Sequence, residues 1–94
     1  MSMTAEEYPK RRSDVSARVV QEELVVLDRA GNHIHQLNPT ATFIWHRCDG
    51  RQTVQAIANE LAGAFAVDPE TAREAVITSV RRFTELGLLD RTRD

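Results

Sequence analysis

The residues able to do chemistry in this 94-residue chain are three histidines, one cysteine and scattered carboxylates. His33 and His35 are two positions apart, which on a strand puts both imidazoles on one face; with His46 they suggest a zinc site, since imidazole is a common zinc ligand. Two ligands on a short strand plus a remote third fall short of a closed site, and no neighbouring Cys completes one. No metal is therefore expected, and the histidines read as surface or groove-lining groups. Cys48 would be a nucleophile only as a thiolate, yet it falls on the apolar side of a helical pattern with no base beside it, so it reads as buried packing. Glu22 and Glu23 lie at a turn and need no acid–base role, and glycine-rich phosphate loops are absent. Neither catalysis nor a cofactor is expected.

Composition narrows the classes further. With 41% apolar and 28% charged residues, the chain is that of one globular domain with one core. A single cysteine excludes an internal disulfide framework and suits a reducing, cytoplasmic setting. No apolar run approaches the roughly 18 residues needed to cross a bilayer, and Met1 to Arg12 lacks the apolar middle of a signal peptide. A net charge of -2 disfavours general nucleic-acid affinity, which comes mostly from Lys and Arg neutralising phosphates. Lys10, Arg11 and Arg12, and again Arg81 and Arg82, are diluted by Glu6, Glu7, Asp14 and Glu85, so they read as solvated surface.

The elements that would position these groups are legible in the punctuation. Residues 1–16 carry few large apolar side chains and read as a flexible N-terminal arm, ahead of a folded domain over 17–90. Val19-Val20 and Leu24 to Leu27, separated by Gln21-Glu22-Glu23, suit two antiparallel strands; Gly31-Asn32 marks a turn before a third strand, His33 to Leu37. Asn38-Pro39 then caps a first helix through Ala41, Ile44, Trp45 and Cys48, which ends at Asp49-Gly50. Trp45 on this helix reads as core before ligand anchor. Thr53 caps a second helix with Val54, Ile57, Ala58, Leu61, Ala62 and Phe65 at helical spacing. Asp68-Pro69 opens a third, which buries Ala72, Val76, Val80, Phe83 and Leu86 and stops at Gly87, with Leu88 placed to pack on the cap. The predicted fold is α+β: a three-stranded antiparallel sheet followed by three helices, in a winged helix-turn-helix-like arrangement.

The ordered series Leu37-Asn38-Pro39-Thr40-Ala41, Ile44-Trp45, Asp49-Gly50, Val54, Ile57, Phe65-Ala66-Val67-Asp68 and Leu86-Gly87-Leu88-Leu89 resembles the PqqD-like family, named for the peptide chaperone of pyrroloquinoline quinone synthesis. The resemblance runs from about Val19 to Leu89. It implies a recognition element for ribosomally made, post-translationally modified peptides. In that family the leader of a precursor peptide adds as a strand to the edge of the third strand and is covered by the third helix, and a partner, often a radical S-adenosylmethionine enzyme, modifies the peptide. Carried over here, the peptide would meet His33, Ile34, His35, Gln36 and Leu37, and the flank of helix three at Arg73, Ile77, Val80 and Thr84. With no enzyme domain in the sequence, the partner is expected to be a separate molecule.

Elementary energetics agree with such a role. An open strand edge can pair with any extended backbone. Each added hydrogen bond nets only about 0.5–1.5 kcal/mol, whereas micromolar binding needs about 8 kcal/mol and ordering the peptide costs roughly 2–5 more. Apolar contacts must contribute the difference, and Ile77, with no evident core partner in the helical pattern, is the candidate. Two other functions fit the same fold: a winged-helix DNA-binding regulator using Arg73, Arg81 and Arg82, disfavoured by the acidic balance, and a structural subunit of an enzyme. An open edge could equally pair with a second copy to give a homodimer.

Overall fold

The computed structural model describes residues 8–28 and 33–90. Three strands, β1 (Val15–Val20), β2 (Glu23–Asp28) and β3 (His33–Leu37), precede three helices, α1 (Pro39–His46), α2 (Val54–Phe65) and α3 (Pro69–Glu85). The sheet is an antiparallel meander in the order β1-β2-β3. Gln21 and Glu22 join β1 to β2 with both φ angles positive, at 52° and 69°. Two left-handed residues are what a two-residue hairpin loop of matching twist requires, although Asn-Gly would adopt them with less strain. The turn expected at Gly31-Asn32 lies outside the described residues.

Each helix begins as its punctuation predicts. The side chains of Asn38, Thr53 and Asp68 accept from the backbone N–H groups of Ala41, Ala56 and Thr71. Pro39 and Pro69 occupy first-turn positions where no N–H is needed. The end of α3 is a paired cap: the Gly87 N–H donates to Thr84 O at 3.0 Å and the Leu88 N–H to Phe83 O at 2.9 Å. Gly87, at φ 75°, makes this reversal, and Leu88 is thereby folded back into the core. Helix α1 stops at His46, two residues earlier than the apolar spacing suggests, and Arg47 closes it.

One core holds the layers together. Leu24, Val26 and Leu37 from the sheet pack with Ile44, Trp45 and Cys48, with Val54, Ile57, Ala58 and Leu61 of α2, and with Ala72, Val76, Val80 and Phe83 of α3. Phe65, expected on the apolar stripe of α2, sits at its rim, 38% exposed, because α2 ends there; its ring meets Phe43 edge-on at 5.5 Å. Arg47 stacks 3.6 Å from the Phe43 ring and pairs with Glu60 at 2.6 Å.

The reading of residues 1–16 as a loose arm needs correction over its second half. Val15 already belongs to β1, and Pro9 to Arg12 stitch two distant segments together. The Arg11 N–H donates to Cys48 O at 2.8 Å, the Arg12 N–H to Leu88 O at 3.0 Å, and Gly50 N–H and Asp90 N–H reach back to Pro9 and Lys10 carbonyls. The Arg11 guanidinium also donates to Trp45 O and His46 O at the open end of α1. A basic side chain there adds hydrogen bonds at the partly negative C-terminal end of the helix, which is why a polar segment docks without a large apolar anchor.

Candidate functional site

Alternation along β3 divides the predicted binding residues between two faces. Leu37 stands opposite Leu24, His35 opposite Val26 and His33 opposite Asp28, so these three point to the helical layer. Ile34 and Gln36 point to the other face, where Ile34 is 69% exposed and Gln36 donates to Glu23 at 3.0 Å. Leu37 is buried, His35 half-buried and His33 exposed. Alternate residues of the five can offer backbone to a visiting strand, but only His33 and His35 present side chains both toward the helices and within a ligand's reach.

Helix α3 requires a correction. Val80 has no exposed surface and closes the core beside Val76 and Phe83, so it cannot line a groove. Arg73 and Thr84 are exposed, and Ile77 is half-buried against the core. The Thr84 hydroxyl is turned inward along the helix, donating to Val80 O at 2.8 Å. A stripe and its flank differ by a single 100° step, and spacing alone assigned Val80 to both.

The strand order supplies the site's main feature. β2 is central, so β3 pairs on one side only, and among the described residues its outer border carries no strand partner. Half of its backbone N–H and C=O groups face that border, ready to pair with an extended chain. Sequence reasoning missed one polar atom beside it. His35 Nε2 is buried without a hydrogen-bond partner, and the His33 and His35 rings lie 6.1 Å apart between centroids. The alternating His-x-His pattern was the available signal.

Among the described residues no three His, Cys, Asp or Glu side chains converge as metal ligands. The Cys48 thiol is pushed up to about 12, chiefly by burial, against the nearby Arg11 charge, and its Sγ donates to Ile44 O at 3.2 Å. It is a packed thiol, not a poised thiolate. No helix among the described residues is long and apolar enough to cross a membrane.

A winged helix-turn-helix-like α+β domain with a bare third-strand edge is the class these features define. The same architecture occurs in a solved PqqD truncation of Methylobacterium extorquens PqqCD, described as a functional stand-alone recognition element for ribosomally synthesized and post-translationally modified peptides. It is 21% identical over 96% of this chain and 96% of that one, with a TM-score of 0.81. A lasso peptide synthetase B1 complexed with its leader peptide is 23% identical, covering 89% of this chain and 99% of that chain, with a TM-score of 0.79. TbiB1 in complex with the TbiA(beta) leader peptide is 19% identical over 90% and 99%, with a TM-score of 0.78. No curated protein sequence matches the chain significantly. The sequence profile of coenzyme PQQ synthesis protein D (PqqD) matches residues 23–89, and the chain belongs to that family.

Proposed function

We propose that this domain is a non-catalytic peptide chaperone. It binds the leader of a ribosomally made precursor peptide by strand addition to β3 and presents the rest to a modifying enzyme, often of the radical S-adenosylmethionine type in this family, in the cytoplasm. The observation that carries the reading is the open border of β3, flanked on its helix side by His33 and His35. Family membership supports it, as do two relatives of the same fold whose structures contain leader peptides.

Strand addition satisfies backbone groups without regard to sequence, so choice among peptides falls to side chains on the helix side of β3 and on α3. Arg73, Ile77 and Thr84 are the groups proposed on α3. Ile77 keeps part of its surface open and can gain apolar burial from a ligand, worth about 25 cal/mol per Å² covered. Titration of isotope-labelled protein with the leader of a neighbouring precursor gene tests the proposal. Amide shifts concentrated in His33 to Leu37 and along α3 are expected; unmoved β3 signals under saturating peptide would rule it out.

A further inference from the structure

We propose that His35 is a specificity-determining residue that selects an acidic side chain in the peptide seated on β3, an inference that rests on the strand-addition reading above. Its Nε2 is sealed from solvent and bonds to nothing in the protein, although the residue as a whole is only half-buried. Buried polar atoms are rarely left unpaired, because the lost contact with water is not returned. The sheet itself cannot supply a partner. Directly opposite in β2 stands Val26, wholly aliphatic and fully buried, and the same face of β1 carries Val15, Ala17 and Val19.

With the helical layer above and Val26 beside it, the open side of His35 is the bare border. A strand added there sets one residue directly across from His35 on the helix side, with Cβ atoms about 4.5–5.5 Å apart, so a short polar side chain reaches the ring after a small turn about Cβ–Cγ. His33 stands two residues along on the same side, with 6.1 Å between the two ring centroids. A carboxylate accepts at both oxygens and donates at neither, so it can take an N–H from each imidazole; an amide has one accepting oxygen, and a hydroxyl one oxygen in all. The carboxylates nearest this position are engaged within the protein: Asp28, opposite His33, is buried with the Arg12 guanidinium at 3.9 Å, Arg12 itself pairs with Asp14, and Glu23 is on the other face with Gln36. An incoming acid therefore meets the two imidazoles first.

Random ten-residue peptides displayed on phage, selected against the immobilised full chain, provide the probe. Individual binders are then synthesised and kept only if they shift the amide signals of His33 to Leu37. These should share Asp or Glu at one fixed position. Replacing it by Asn or Ala should weaken binding about ten-fold with the native protein, and by no more than about two-fold with His35→Leu. Removing an unpaired polar atom should not lower the melting temperature of that variant, so lost folding is distinguishable from lost recognition; His46→Ala, on the exposed side of α1, should leave the acid preference intact. Strand-shifting binders with no acidic position, or an acid effect undiminished in His35→Leu, would overturn the inference alone. If no peptide perturbs β3, the strand-addition reading fails and this one with it.

Discussion

The indole of Trp45 meets the ring of Phe83 edge to face, with centroids 5.2 Å apart and planes at 84°. This contact joins α1 to α3, and through them the strand side of the core to the last helix. Edge-to-face pairs add about 0.5–1.5 kcal/mol beyond the area they bury. Trp45→Ala should cost about 3–5 kcal/mol in urea unfolding, a large share of the about 5–10 kcal/mol expected of such a domain. Loss of peptide binding in that variant should follow the unfolded fraction.

Ile77 and Val80 should separate recognition from stability. Val80 is fully buried, so Val80→Ala should cost about 2 kcal/mol of stability. Ile77→Ala should cost less stability but weaken peptide binding measured by fluorescence anisotropy. Equal effects on both quantities for both variants would place Ile77 in the core and outside the groove.

The stitch made by Arg11 should be measurable without touching the sheet. Arg11→Met keeps the aliphatic stem near Trp45 but deletes two donors to the carbonyls of Trp45 and His46. A loss of about 1–2 kcal/mol in denaturant midpoint analysis is expected, with the fold intact by two-dimensional NMR.

Cys48 should be inert while the protein is folded. With its thiol pushed up to about 12 by burial, almost none is thiolate at neutral pH, and the side chain is closed off. Labelling by a disulfide reagent should proceed only through opening and accelerate with urea in step with unfolding. Rapid stoichiometric labelling of native protein would contradict the packing described.

Acid should destabilise the domain through identifiable carboxylates. The Thr71 hydroxyl and backbone N–H hold the Asp68 carboxyl below its ordinary value, and a hydrogen bond from Arg12 does the same for Asp14. Because folding lowers these values, the stabilisation is present above the unfolded range near pH 4 and is lost as pH falls through the lower folded values. Melting temperature should therefore decline below about pH 4. Asp68→Asn, which still caps but does not titrate, should remove part of that decline.

Local interactions are what the sequence by itself determined. The Asn38-Pro39, Thr53 and Asp68-Pro69 starts and the Gly87 stop depend on residues a few positions apart, so their side-chain chemistry was readable in order along the chain. The His33–Leu37 strand followed from short-range composition in the same way. Tertiary structure decided the rest. That β3 is an edge depends on which strand lies at the centre of the sheet, and the face that His35 presents depends on its register against Val26. Val80 and Ile77 are three residues apart on one helix, and only the position of the sheet and of α2 settles which of them is sealed. The docking of Lys10 to Arg12 against Cys48, Leu88 and Asp90 joins segments dozens of residues apart through backbone groups that every residue carries. Composition holds no record of such pairing, because the energy resides in carbonyls and amides whose partners exist only once the chain has closed on itself.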